Sequence, residues 1–546
     1  MWPIKRGQVT SVPGQTSKGD TLRAAWPWLA LTLVALLLRI WELPAQLLAD
    51  DEWHALHMLL GASPLEIYTT FGHADHSIPL TLAYQALSSF TPLSENLMRL
   101  PMLGAGVGAI LIMPLLLGKA ATKREKLIFS ALLSIAPILV YFSRTARPYA
   151  LTVLLAFVAV LAFYWWWHHK HRHWAALYIG STVLAAWLHP LTLATTLAPF
   201  VWRGPAALYG AISKGTWSPG SRLLGLGVLT FIPLSLLLAP PLIADFQALS
   251  GKSGVDRVSW NTLWKTLQLF SGSGNPPWTL LWIGLFTIGL VTLAKSRPSF
   301  TVYLACIIAV TTGLIVATGG AWIHHPLVLA RYLLPLLPIG LFFVAVGIGN
   351  ITRPLPTPLY PALMVFGLLT AYFIGPLPAQ YHAPPNQFTG HMAYQFDYNA
   401  ERNLYNRQLS HTEIPDFYRE LGKRPPGRYT LVKAPWYIEW HWNTWHLHQA
   451  VHGQRVMAGM ITGLCAGEAF GEYQPETTRV ALKHAVHLQE LAAGRSKVDF
   501  LVIHRTPPQA GARPIPNWDA CLRIIDNKFG PAVHEEDAVR VYRVGN

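Results

Sequence analysis

An acidic triplet, Asp50-Asp51-Glu52, follows the first long apolar run of the chain by about ten residues. Charge costs a few kcal/mol at mid-bilayer, so such a triplet belongs just outside the hydrocarbon, at the interface. Carboxylates placed there could serve as a base, a metal ligand or a substrate clamp. Other polar residues accompany them: His54, His57, His73, Asp75 and His76 in the same stretch, Arg144 and Arg147 in Ser143-Arg-Thr-Ala-Arg-Pro-Tyr149, then His189, His324, His325, Arg331 and Tyr332. Arg stays charged and binds phosphate oxygens bidentately. A carboxylate beside such cations stays ionised and could accept a proton from a hydroxyl while a phosphate leaves. These residue types suit chemistry on an anionic substrate that enters partly from the lipid.

The elements that must position them are membrane spans. Only 13% of the 546 residues are charged and 52% are hydrophobic, against about 25% charged in soluble proteins. A span needs roughly 20 apolar residues, and eleven runs are read as spans: 24–41, 98–118, 127–142, 150–167, 174–189, 190–203, 223–242, 278–294, 299–320, 327–349 and 357–375. The net charge of +15 does not point to nucleic acid, because basic residues fall in every second loop. They are Lys5, Arg6, Lys18 and Arg23, then Lys119, Lys123, Arg124 and Lys126, then Lys170 and Arg172. Arg203, Lys214 and Arg222, then Lys295 and Arg297, and finally Arg353 continue the alternation. These loops are expected to be cytoplasmic, with the N-terminus inside. An odd number of spans puts the C-terminus outside.

This topology predicts a polytopic α-helical membrane protein with a C-terminal extracytoplasmic α/β domain. Residues 1–23 form a cytoplasmic segment, 24–375 the transmembrane domain with an outer loop over 42–97, and 376–546 the outer domain. The apolar stretch Thr81–Phe90 is too short to span and is read as a helix on the outer surface. Shorter amphipathic pieces are expected near Trp53–Leu60 and Pro64–Phe71. In the outer domain, Tyr429–Val432, Phe500–Ile503 and Arg540–Val544 read as strands, and Asp416–Leu421 and Thr478–Ala493 as helices. Asp50 to Glu52, His76, Arg144, Arg147, His189, His324, His325, Arg331 and Tyr332 all collect on the outer face.

Other clusters have plainer readings. The Trp165-Trp166-Trp167 run is an interfacial belt, and the His168–His173 cluster on the cytoplasmic side is a topology signal. The His441–His448 stretch with Trp440, Trp442 and Trp445 reads as a surface motif. His54 and His57 at i, i+3, and His73 with His76, could share an ion, but nothing fixes a third ligand. Dependence on a divalent metal is therefore left open and no cofactor is assigned. Cys465 and Cys521 could form a disulfide in an outer compartment, while Cys306 lies in an apolar run.

The order of motifs resembles the GT-C membrane glycosyltransferases, specifically the family of protein O-mannosyltransferases and lipid A aminoarabinose transferases. The acid pair of the first outer loop is matched by Asp51-Glu52. A His-Pro-Pro-Leu or Lys-Pro-Pro-Leu segment is matched, with an insertion, by His76-Ser-Ile-Pro79-Leu80. Arg99-Leu100-Pro101, Ser143 through Leu151, His189 and Arg331–Pro335 complete the series. The resemblance covers about residues 24–350. It implies a polyprenyl-phosphate sugar donor and transfer to a hydroxyl acceptor on a protein, lipid or glycan at the outer face, with inversion. It implies Asp51 as the base and Glu52 as its assistant or positioner. His76, Arg144, Arg147, Tyr149, His189, Arg331 and Tyr332 would hold the donor phosphate and line the pocket. The chain departs from the pattern at the second Pro, and its extra acid Asp50 competes with Asp51 for the role of base. Two rival readings are a lipid-linked glycan flippase or transporter and a glycan-polymer ligase of related fold. A transporter would show ionisable residues near the midplane and inverted repeats, whereas here they sit at span ends and no repeat is visible.

Overall fold

The computed structural model describes residues 18–41, 43, 52–59, 62–71, 76–91, 93–353, 360–374, 414–434, 445–460, 486–487, 498–506 and 518–544. In chain order the helices begin with α1 (Lys18–Ile40), α2 (Trp53–Leu59), α3 (Pro64–Thr69), α4 (Ile78–Ser88), α5 (Glu95–Leu116), α6 (Lys123–Ile135) and α7 (Pro137–Ser143). Next come α8 (Tyr149–His169), α9 (Arg172–Leu188), α10 (Leu193–Thr196), α11 (Ala198–Lys214), α12 (Ser218–Ala244) and α13 (Phe246–Ser250). Then follow α14 (Trp260–Ser271), α15 (Pro276–Ser296), α16 (Pro298–Thr318), α17 (Pro326–Leu333), α18 (Leu337–Ile351) and α19 (Tyr360–Ile374).

Six of the described helical runs are long and apolar enough to cross a membrane: α5, α8, α12, α15, α16 and the run Pro326–Ile351 that joins α17 to α18. The pair α6 and α7, bent by 60°, makes a seventh if counted as one span. The other predicted spans are helical but shorter in their described apolar parts: Ala25–Ile40 of α1, α9, α11 and α19. The run 190–203 is not one helix. His189 precedes Pro190 and is extended, at φ −158° and ψ 107°, because the proline ring excludes the helical region for its predecessor. A short 3-10 turn and α10 intervene before α11, which runs on to Lys214.

Every residue of α18 from Leu337 to Ile348 is buried, so this helix is the axis of the bundle. It lies tightly on α15. A Cβ on Gly289 would meet the Phe343 carbonyl oxygen at 1.8 Å, and one on Gly347 would meet that of Leu285 at 2.1 Å. Small residues let apolar helices approach backbone to backbone, which gains dispersion contacts where lipid offers no hydrophobic drive.

The predicted outer loop contains the three short helices α2, α3 and α4 expected near those positions. Ser63 and Glu66 form a capping box that starts α3. The loop is tied to α12 by two bonds: the Tyr68 hydroxyl donates to the Leu236 carbonyl at 2.6 Å, and the Phe71 amide donates to the Asp245 carboxylate at 2.8 Å.

The C-terminal unit has helices α20 (Asp416–Gly422), α21 (Trp445–His452) and α22 (Trp518–Phe529). Its strands are β1 (Thr430–Ala434), β2 (Arg455–Met460), β3 (Val486–His487), β4 (Phe500–His504), β5 (His534–Glu535) and β6 (Val539–Arg543). The sheet order is β3-β2-β1-β4-β6-β5. β2, β1 and β4 run parallel, with Val432 opposite both Met457 and Leu501, while β6 is antiparallel to β4. The three predicted strands and the helix from Asp416 are present. The helix expected over Thr478–Ala493 is not formed at Val486 and His487, which pair in parallel with Gly459 and Met460 of β2. Sheet pairing outweighs local helical periodicity there. Side chains alternate across the sheet. Val432, Ala434 and Ile503 pack with Ile525 of α22, and Leu431 and Val502 pack with Tyr418 of α20. Cys521 is in a disulfide and Cys306 is free; Cys465 and residues 440–444 of the His/Trp stretch lie outside the described residues.

Candidate functional site

The site is built around the irregular turn between α7 and α8. Pro137 has no N–H and so cannot complete the helical bond to the Leu133 carbonyl, and α6 ends at Ile135. The freed carbonyls are taken by a buried arginine of α1. Arg39 donates to Leu133 O at 3.2 Å, Ser134 O at 3.0 Å and the Ser143 hydroxyl at 3.1 Å. Gly106 of α5 makes the room: a Cβ there would meet Ser143 Oγ at 2.1 Å and Arg39 Nε at 3.0 Å. Arg144 in turn donates to the carbonyls of Leu38 at 3.1 Å and Trp41 at 2.5 Å. It thereby places a cation on the negative end of the α1 dipole.

Glu52 sits on the other side of this turn and is buried. Arg99 of α5 grips it with two parallel bonds, Nε to Oε1 and Nη2 to Oε2, both at 3.0 Å. The amide of Ala146 donates to the same Oε1 at 2.6 Å. Glu52 thus pins the segment between α1 and α5 to both α5 and the turn. Asp50, Asp51, His73 and Asp75 lie outside the described residues, as does the side chain of His57. Arg147 donates to His54 Nδ1 at 3.3 Å, which leaves the imidazole proton on Nε2 when the ring is neutral. His76 is buried, with Nε2 against the Thr70 carbonyl and Nδ1 against the Thr81 hydroxyl, each at 3.0 Å. Its neighbour Ser77 donates to the Leu188 carbonyl at 3.0 Å, next to His189.

Tyr149, the first residue of α8, is the hub. The Arg147 guanidinium carbon lies 5.8 Å from its ring centre and that of Arg331 lies 6.0 Å away. His189 stands 5.6 Å from Tyr149 and 5.8 Å from Tyr332, ring to ring, and Arg331 also covers Tyr332 at 5.5 Å. Five predicted residues from three chain segments therefore converge: Arg147, Tyr149, His189, Arg331 and Tyr332. Two guanidiniums beside one aromatic ring suit an anionic group such as a phosphate diester. Arg144 points to the end of α1 instead. His324 pairs with Asp256 at 3.0 Å in a half-exposed loop. Among the described residues no group of three or more His, Cys, Asp or Glu could hold a metal ion.

Sequence reading assigned no role to Arg39 and treated Arg99 only as part of a motif. It also missed a second titratable cluster in the C-terminal unit. Lys433 of β1 is fully buried, and its Nζ lies 4.1 Å from the Tyr418 ring centre. The Tyr418 hydroxyl meets His504 Nε2 at 2.8 Å, the Tyr418 and His452 rings are 5.0 Å apart, and His448 stacks on His504 at 5.5 Å. Among the described residues Lys433 Nζ has no hydrogen-bond partner. Burial holds its amine well below the usual lysine range. Burial, then the nearby Lys433, lowers His452 to about 2 and His504 to about 3. Alternation along Thr430-Leu-Val-Lys-Ala434 puts Lys433 on the same face as the buried Leu431, so the conflict was visible once the strand was placed.

No protein-family model matches the sequence, and no curated protein matches it. Solved structures do. ArnT from Cupriavidus metallidurans in the apo state aligns over 96% of this chain and 98% of its own, at 12% identity and a TM-score of 0.54. The same protein bound to undecaprenyl phosphate aligns over 97% and 99%, at 12% identity and 0.52. The oligosaccharyltransferase of Archaeoglobus fulgidus, in complex with Zn and sulfate, covers 88% of this chain and 68% of its own at 14% identity, with a TM-score of 0.42, too low to bear on the fold. The chain therefore has an ArnT-like fold, with a small sheet in its C-terminal part.

Proposed function

We propose that this chain is a multi-pass membrane glycosyltransferase that moves a sugar from a polyprenyl-phosphate donor to a hydroxyl acceptor on the outer face. In this reading eleven segments cross the bilayer, the N-terminus is cytoplasmic and the C-terminal unit is outside. The observation that carries it is the convergence of Arg147, His189 and Arg331 on Tyr149. Glu52 is bound to the amide one residue before Arg147. An ArnT structure bound to undecaprenyl phosphate supports a lipid-phosphate donor.

In the step itself the acceptor oxygen attacks the anomeric carbon as Asp51 takes its proton. The bond from that carbon to the phosphate oxygen breaks, and the electron pair leaves on the phosphate with inversion at carbon. Arg147 and Arg331 hold the phosphate and stabilise the charge it gains. Glu52, already committed to Arg99 and Ala146, positions the loop.

The test incubates purified protein with a panel of polyprenyl-phosphate sugars and follows release of the lipid phosphate. Asp51→Asn should lower turnover by about 10²–10⁴-fold with donor binding unchanged. Full turnover by that variant removes Asp51 as the base. Arg331→Ala should weaken donor binding by roughly tenfold or more, the worth of one charge-assisted bond; unchanged affinity removes it from the phosphate site.

A further inference from the structure

The far end of α8 carries a second cationic site. Eighteen residues separate Tyr149 from Trp167, which at 1.5 Å per residue is about 27 Å, nearly the thickness of the hydrocarbon. There the guanidinium of Arg203 (α11) lies 3.7 Å from the centre of the Trp202 ring and 5.3 Å from that of Trp167. Arg222 (α12) lies 5.2 Å from Trp166 and 5.4 Å from Trp167. Two cations from two helices thus share one indole.

Their hydrogen-bonding capacity is not used up. Arg203 Nε and Arg222 Nη2 are buried from solvent and have no partner among the described residues. A snorkelling arginine extends its head into water, whereas these lie on ring faces with an N–H turned inward. Among the described residues neither guanidinium is paired with a carboxylate. No Asp or Glu occurs between Glu125 and Asp245, while Lys170, Arg172 and Lys214 add further positive charge to this stretch. Arg297, by contrast, has Glu125 at 3.5 Å.

We propose that this cluster is a binding site for the phosphate of an anionic phospholipid headgroup. The diester would accept from the inward N–H groups of Arg203 and Arg222, and the lipid's chains would run along the apolar helices. Guanidinium forks match phosphate oxygens bidentately, and basic pockets between membrane helices recognise anionic headgroups in this way. The site is separate from the Tyr149 hub and does not depend on which way the chain crosses the bilayer.

The experiment is native mass spectrometry of the full-length protein in detergent, titrated with phosphatidylglycerol, phosphatidylcholine or inorganic phosphate. The wild type should carry about tenfold more phosphatidylglycerol than phosphatidylcholine, and Arg203→Gln/Arg222→Gln should bring the two to parity while phosphatidylcholine adducts persist. Should the double variant fail to fold, each single substitution must lower the preference to an intermediate value. The proposal is overturned if the wild type shows no preference or the preference survives in the variants. It is equally overturned if inorganic phosphate displaces the phosphatidylglycerol, which would make the site one for a soluble phosphate.

Discussion

The membrane unit and the C-terminal unit both bury cations, and they deal with them in opposite ways. Arg39 and Arg99 are met by acceptors, which broken helices and an acid supply: the Leu133 and Ser134 carbonyls for one, the Glu52 carboxylate for the other. Lys433 has no such recourse. Its neighbours on the sheet spend their carbonyls on the ladder, and its surroundings are Tyr418 and three imidazoles. The amine is driven toward its neutral form instead. The lesson is that breaks in a helix bundle free carbonyls to meet a buried cation, while the carbonyls of a regular sheet are already committed to the ladder.

The contrast is broken most strongly at Arg99. Arg99→Ala leaves Glu52 buried and uncompensated, which should cost about 3–5 kcal/mol, read as a lower unfolding temperature in detergent and loss of protease resistance in the segment between α1 and α5. Lys433→Met should have the reverse sign. It removes a buried amine and supplies an apolar chain of similar volume, stabilising the C-terminal unit by roughly 1–4 kcal/mol if it follows buried ion replacements; slower amide exchange in β1 and β4 of the full-length protein would report it. A fall in protection would mean that the amine has a partner worth keeping. Gly106→Ala should cost about 1–3 kcal/mol by displacing Ser143 and Arg39, and would show as faster exchange at Ser143–Tyr149 with β1 and β4 untouched.

Acid sharpens the same distinction. His452 and His504 are held near 2 and 3, below their ordinary 6.5. The unfolded chain therefore binds protons that the folded unit refuses, so stability falls as pH drops below 6.5 and keeps falling toward the folded values. Lys433 acts with the same sign at higher pH, since its amine too is depressed. Exchange protection of β1 and β4 should decline between neutral pH and about pH 4, while the guanidinium-held turn at Ser143 should not follow.

Much of this was legible in the sequence, for local reasons. Apolar runs and alternating basic loops located the helices, and the strands at Thr430, Phe500 and Val539 announced themselves by β-branched alternation. Arg147, Tyr149, His189, Arg331 and Tyr332 were named before the fold brought them together. What stayed hidden is non-local. Arg39 reads as an ordinary residue at a span end until Ser134, 95 residues away, turns out to be its acceptor. The amphipathic helix α14 is too short to span and was passed over. The resemblance implies Glu52 as an assistant or positioner of the base; only the packing of α5 shows that Arg99 and Ala146 bond its oxygens.

The Arg39 clamp also bears on how the molecule is assembled. Carbonyls freed at Pro137 cannot stay bare in lipid, where each unsatisfied group costs several kcal/mol. The residue that covers them belongs to α1, which leaves the ribosome well before α6 and α7. Arg39 has therefore already been synthesised when the bend is made and is available to cover its carbonyls. An α1 lacking that guanidinium would leave the newborn α6–α7 pair with two orphan acceptors in the bilayer and every incentive to insert in some other shape.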